Sequence, residues 1–559
     1  MWHLVLRPGN RTDLALSAFT LTFFTIFLVG YNTVFPATVY VAPTDDLQAL
    51  VKNNAAGTIF VLQPGVHHDS VTSIKSGDVF TSPNARTADG VTEDGAKLLT
   101  NWTVMSINSN IYWTAPGGMP LWSSQSSAQC EPLYPGCYYS QNLYVDNVDY
   151  IHVTSLANVV QGKWYYDFSG ADGGVVNNVY LSATENPGSH KIELSQYQCA
   201  FFAPAGGPSG ITIEGLIVEK YGAPLQRGAI EVSTPGWLIQ NNEMRLNHGY
   251  GVHAARGGDN IRVLHNSIHD NGMAGAGGPA NGGTWSYNAI YHNNIDRVNP
   301  GFEAGDKWGG NGDVISYNIV HDNVDSPGLW SDQYATNTSF DHNTVYHNGG
   351  QGIHYEIGDA GTITNNILYD NNATATGGEQ SEIAYANSSH GTITGNFIIT
   401  TSRDHGIVVD YNNERTCSRD GACTVPVGMN ISNNKVTITA TDNSLDIAAL
   451  SVNNGSTTSW QVAGMFDHNT YCVPELPWSK ANWKLGTIGV GPHSVFSSWQ
   501  SAGQDVHGML TANARACTST ASAPPTGIQM IAPLAITQNR NEGWIQKLLD
   551  FFHNPFGWL

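Results

Sequence analysis

Two short segments carry carboxylates in settings suited to acid–base chemistry. They are Pro327-Gly328-Leu329-Trp330-Ser331-Asp332 and Gly352-Ile353-His354-Tyr355-Glu356-Ile357. Carboxyl groups about 5 to 5.5 Å apart can break a glycosidic bond with retention, one as nucleophile and one as acid/base. Asp332 and Glu356 are the candidates for those two roles. A third acid, Glu303, lies in Gly301-Phe302-Glu303-Ala304-Gly305-Asp306-Lys307-Trp308. Trp308, Trp330 and Tyr355 offer aromatic faces for sugar rings. Lys307 and His354 offer polar contacts, and Asp410 is a further acid of the same kind. A calcium site or a solvated acidic face is the blander account of these carboxylates.

What places these acids together is a repeat. Six segments share one pattern: Asn242 to Asn247, Asn266 to Asn271, Asn288 to Asn293, Asn318 to Asn323, Asn343 to Asn348 and Asn366 to Asn371. Each begins and ends on Asn, with an aliphatic between. The leading Asn residues step by 24, 22, 30, 25 and 23, and weaker copies follow at Asn396, Asn434 and Asn469. Steps of this size fit one coil of three short strands and three turns. A leucine-rich repeat would need a Leu framework, which is absent. The chain is therefore expected to be all-β, a right-handed parallel β-helix. The aliphatics would point inward, and each Asn would sit at a turn, itself left-handed and bonded to the next coil. His269, His292, His321 and His347 recur within the pattern, which marks them as ladder residues rather than ligands.

The repeat also serves as a ruler. Counting forward from the leading Asn, Glu303 comes after 15 residues, Asp332 after 14, Glu356 after 13 and Asp410 after 14. All four are expected at one angular position. Coils stack about 4.8 Å apart, so Asp332 and Glu356 would be neighbours and Glu303 and Glu356 about 9.6 Å apart. The latter distance is near that of an inverting pair. Stacked like charges destabilise the fold, which points to function.

The 559 residues include 60 Gly and only 12% charged side chains, which suits tight turns and stacked strands. There are 45 acids against 24 bases, a net charge of −21. That disfavours nucleic acid and favours a neutral or weakly charged carbohydrate partner. Residues 1–37, basic and then apolar, read as a signal peptide or a membrane anchor, so the protein is expected to be secreted or tethered at the cell surface. Residues 38–517 are expected to form the β-helix with irregular loops, particularly Ser82 to Gly136 and Gly272 to Gly283. Thr44 is expected to cap a short helix that ends near Gly57 and covers the first coil. Residues 518–543 read as a linker, and 544–559 as a short amphipathic segment. Of the seven cysteines, Cys130 with Cys137, Cys417 with Cys423 and Cys472 with Cys517 would pair, leaving Cys199 free. No CxxC motif or His/Cys cluster marks a zinc site.

The chain resembles the bacterial right-handed β-helix carbohydrate-active proteins, among them the β-xylosidase and α-L-fucosidase/xylanase families. The matching stretches include Thr58 to Gly65, Gly162 to Asp167, Gly228 to Ile230, Gly301 to Gly305, Gly328 to Asp332 and Gly352 to Ile357. The resemblance implies an Asp and a Glu on successive coils as nucleophile and acid/base, with no cofactor. Glu356-Ile357-Gly358 stands where Glu-Ile-Ser is usual, and Asp306-Lys307-Trp308 differs from the usual Gly-Thr-Lys-Phe. Two other functions suit the same fold. A polysaccharide lyase would need calcium here, because the stripe is acidic. A glycan-binding solenoid would leave its sugar unchanged.

Overall fold

The computed structural model describes residues 36–513, apart from 89, 106–107, 117–126, 171–174, 300–303, 333–334, 373–379, 401–404, 412–425, 439–445, 453–464, 477–481 and 486–494. Most strands are three residues long, with an apolar centre flanked by polar residues, as in Thr362–Thr364 and Thr392–Thr394. So short a strand cannot make a free-standing sheet, and each pairs in parallel with its copy one coil away. The result is a right-handed parallel β-helix with three faces. Among the described residues, two faces hold thirteen strands, running from Thr38–Val41 to Phe466–Asp467 and from Gly65–His67 to Met509–Thr511. The third holds eleven, from Phe201–Ala203 to Asn482–Leu485. Register is strict: Ile290, Val320, Val345 and Leu368 follow one another at the centre of the second face. All are fully buried in the lumen, each stabilising the coil by roughly 1.5–3 kcal/mol relative to exposure.

The recurring Asn residues form two buried ladders. In the first, each side-chain oxygen accepts from the backbone N–H of the Asn one coil earlier. The rungs run from Asn242 through Asn266, Asn288, Asn318, Asn343, Asn366, Asn396 and Asn434 to Asn469, at 2.8–3.0 Å. Asp505 closes it. The second ladder runs from Asn247 to Asn371 and ends on the buried Glu382. One expectation is corrected here. The left-handed residue is not the ladder Asn but the one before it: Asn241, His265, Tyr287, Tyr317 and His342 in the first ladder, Leu246, Asp270, His292 and Asp322 in the second. That residue turns the corner, which frees the Asn side chain to point inward.

The recurring histidines are structural, as expected. His269, Tyr291, His321, Tyr346 and Tyr369 stack face to face at 4.6–5.1 Å outside the second face. His292 pairs with Asp270, and His347 with Asp370.

A helix, Leu47–Asn53, covers the first coil and buries Leu47 and Val51. Its N-cap is Asp46, whose carboxylate accepts from Ala49 N–H at 2.8 Å, and its C-cap is Asn54. Thr44 and Gly57 therefore lie outside it. Asp46 outcompetes Thr44 because it stands three residues before a free N–H of the first turn.

The larger departure is an insertion. Between Val91–Asp94 and Phe201–Ala203 the solenoid is interrupted by an eight-stranded, mostly antiparallel sheet from Ala96–Leu98 to Ile192–Ser195. It has its own core around Leu143, Trp164, Tyr166 and Leu194. The stretch from Ser82 is thus partly strands of a second sheet rather than irregular loop, and Gly272 to Gly283 likewise contains a buried strand of the third face, Ala274–Gly278, rather than an irregular loop. The buried Lys220 ammonium joins the two parts, meeting Glu193 at 2.8 Å, Glu219 at 3.0 Å and Asp94 at 3.5 Å. Cys130 and Cys137 are disulfide-bonded and Cys199 is free. Cys472 is also disulfide-bonded, while Cys417, Cys423 and Cys517 lie outside the described residues, as do 1–35 and 514–559. Among the described residues no helix is long and apolar enough to cross a membrane.

Candidate active site

The candidate residues gather on the third face. Side chains alternate across a strand, so one set enters the lumen and the next faces out. Leu329, Ile353, Tyr355, Ile383, Tyr385 and Val409 belong to the lumen core. Lys307, Trp330 and His354, in register on three successive coils, therefore face outward. Two residues further on, Glu356, Ala386 and Asp410 share one outward row. Asp332 follows Ser331, which pairs with Tyr355, so Asp332 stands beside Glu356 in that row. Successive strands of a sheet lie about 4.8 Å apart, close to the separation of a retaining pair.

The outward groups form one connected cluster. The Lys307 ammonium lies 3.1 Å from the Asp332 carboxylate and 3.4 Å from the centre of the Trp330 ring. His354 stacks on the other side of Trp330 at 5.3 Å, the rings 13° from parallel. Asp332, Glu356, Trp330, His354 and Asp410 are all buried despite facing out. Burial pulls the His354 imidazole down to about 4. The Asp332 carboxylate opposes that fall and the Lys307 ammonium adds to it. His354 is therefore neutral at pH 7.

This shift has a stability consequence. The folded state holds His354 unprotonated while the unfolded chain takes up a proton near pH 6.5. Stability is thus fully present above about 6.5 and is lost as pH falls toward 4, by on the order of 3 kcal/mol. His354→Phe keeps a ring on Trp330 and removes the titration. Urea unfolding at pH 7 and pH 4.5 should show a smaller loss for the variant than for the parent; equal losses would refute the assignment.

Two expected aromatic contacts are corrected. Trp308 and Tyr355 are at most 1% exposed and belong to the lumen. Trp308 packs on Trp285 and Phe340, while the Tyr355 hydroxyl donates within the fold to the Ala335 and Asp359 carbonyls. Alternation turns both away from the carboxylates, and neither can stack on a sugar outside. Glu303 lies outside the described residues. The residue of its coil that falls in register with Asp332 is Gly309, following the Trp308–Ser331 pair. Counting from Asn288 misplaces the row because this coil's extra residues precede its strand, Asp306–Trp308.

The fold also brings forward residues that the repeat did not single out. Glu231 and His253 precede Gly277 and Lys307 in the same outward row. Glu231 is held below its usual range, burial notwithstanding, by His253, the Gly228 N–H and Arg227. Their first coil has no Asn in the first ladder, since Leu216 N–H takes that rung, so the ruler had no origin there. Asp306 enters the lumen side and accepts from Ala276 N–H, and burial pushes its carboxyl well above the carboxylate range.

Residues 228–380 match the family described as right handed beta helix region. No curated protein matches the chain. Among solved structures, the chain is similar to XylC in its complex with xylose, at 14% identity over 85% of this chain and 86% of that one, with a TM-score of 0.58. It also aligns with DFA-IIIase from Arthrobacter chlorophenolicus A6 in complex with GF2, at 10% identity over 80% and 93% of the two chains, TM-score 0.35. Pectate lyase Pel9A aligns at 11% identity over 83% of each, TM-score 0.26. The first likeness shows the fold.

Proposed function

We propose that this protein is an extracytoplasmic glycoside hydrolase acting by a retaining, two-carboxylate mechanism. The observation that carries the reading is the placing of Asp332 and Glu356 side by side, in one outward row, on adjacent coils. Asp332 attacks the anomeric carbon. The Lys307 ammonium supplies an opposite charge at that carboxylate and holds its orientation. Glu356 protonates the leaving oxygen and then takes a proton from the water that releases the sugar. Neutral His354 and the edge of Trp330 contact sugar hydroxyls and carbon faces, and Asp410, two coils beyond Glu356, reaches a neighbouring sugar. No cofactor enters these steps.

The substrate is a neutral or weakly charged oligosaccharide or polysaccharide. Because a structure of similar shape was solved with xylose, pentose-containing glycans are the first to try. The test is product stereochemistry, followed by nuclear magnetic resonance immediately after cleavage. The reading expects the anomeric configuration of the substrate to be kept. An inverted product would reassign the pair. An unsaturated, ultraviolet-absorbing product whose formation stops with chelator would replace hydrolysis by a calcium-dependent lyase.

A further inference from the structure

The central lumen position of the second face is apolar on coil after coil: Val218, Met244, Ile268, Ile290, Val320, Val345, Leu368, Ile398 and Val436. The first two coils break this rule. There the same position holds His67 and Glu93, paired with each other, and Glu93 in turn pairs with Val218. Both side chains are 0% exposed. A polar group in such a place is costly unless it is bonded.

Their hydrogen bonding is one-sided. His67 Nε2 lies 2.9 Å from the Gln63 carbonyl, which can only accept, so Nε2 carries the proton. The Nδ1 lone pair then faces the lumen with no partner among the described residues. Neither Glu93 oxygen has a hydrogen-bond partner among them. The nearby Tyr221 hydroxyl donates instead to the Asp69 carbonyl, at 2.9 Å. Asp69 completes the group: one ligand atom from each of His67, Asp69 and Glu93 lies within 4.8 Å of the others. A ligating histidine typically donates its second N–H to a carbonyl or carboxylate, the arrangement His67 already has.

We propose that His67, Asp69 and Glu93 bind a divalent transition ion of the zinc type, inside the lumen at the N-terminal end of the solenoid. One imidazole and two carboxylates suit zinc, whose N and O ligands stand about 2.0–2.2 Å away with a fourth place for water. Calcium would require six to eight oxygens. The ion ties the first coil to the second and to the segment carrying Asp69. It is far in sequence from the carboxylates of the third face and serves the fold, not the cleavage.

The test uses full-length protein stripped with chelator and then titrated with zinc ion, by calorimetry and by metal analysis after dialysis. One ion per chain is expected, with a rise of several degrees in the unfolding midpoint. His67→Leu/Glu93→Val restores the apolar row of the other coils. It should fold and lose both the bound ion and the zinc-dependent rise. Glu93→Gln, nearly the same shape, should weaken binding at least tenfold, and it keeps the test decisive if the double variant does not fold. Absence of binding in the parent overturns the proposal. So does equal affinity in the variants, which would place the ion elsewhere, as at the half-buried Asp467 with the exposed His468 and His507.

Discussion

Asp332→Asn and Glu356→Gln are each expected to abolish turnover of the natural glycan while leaving the fold intact. Loss of a positioned acid/base costs about 10²–10⁴-fold. Loss of the nucleophile costs at least as much, because an amide cannot form the glycosyl-enzyme bond. The two variants should part company on an aryl glycoside with a good leaving group. Such a substrate needs little protonation, so Glu356→Gln recovers its first step and accumulates glycosyl-enzyme, whereas Asp332→Asn stays inactive. Mass spectrometry of the quenched enzyme reads this difference directly. Both side chains lie outside the lumen core, so thermal midpoints should stay near the parent's. Asp332→Asn also removes the Lys307 ion pair, which adds to its loss of rate. Full activity in either variant would sink the two-carboxylate reading, whatever the fold.

Replacing one Asn in the middle of the first ladder should be among the most destabilising single changes in the molecule. Asn318 accepts from the backbone and side-chain N–H groups of Asn288 at 2.9 and 3.1 Å, and donates to the Trp285 carbonyl and to Asn343 at 2.9 and 3.0 Å. Asn318→Leu keeps the volume and removes all four. The Asn288 N–H is then left buried without a partner, at about 1–3 kcal/mol, and the other orphaned groups add to it. A total of about 3 kcal/mol or more is expected in urea unfolding. Hydrogen exchange should localise the damage, with the Asn288 amide exchanging much faster and distant coils little changed, because a solenoid couples each coil mainly to its neighbours. A change under about 1 kcal/mol would mean that the ladder is incidental to stability.

The coil repeat was legible because it is a local property. Each corner needs a left-handed residue followed by an inward Asn, and each strand needs one buried aliphatic. Those demands recur with every coil and leave a mark that needs no knowledge of distant contacts. The same ruler placed Asp332, Glu356 and Asp410 in one row, since between each of them and its leading Asn the coil keeps nearly constant length. Glu303 lies outside the described residues, and on its coil the register sets Gly309 beside Asp332. The ruler could not orient Trp308 and Tyr355. In strands of three or four residues, a shift of one position exchanges lumen and exterior, and the phase depends on where the chain bends.

Sequence by itself thus determined the architecture, the ladders and the adjacency of the two carboxylates, because stacking identical short units imposes a period on the chain. Tertiary structure alone decided three things. It separated outward Trp330 and His354 from inward Trp308 and Tyr355. It gathered Ala96 to Ser195 into a second sheet joined to the solenoid at Lys220. It also set His67 opposite Glu93 in the lumen. The first depends on the phase of strands only three or four residues long, and the other two on long-range register between segments that carry no Asn marker. Such pairing is dictated by what must be buried together, not by the residues next to each one in the chain.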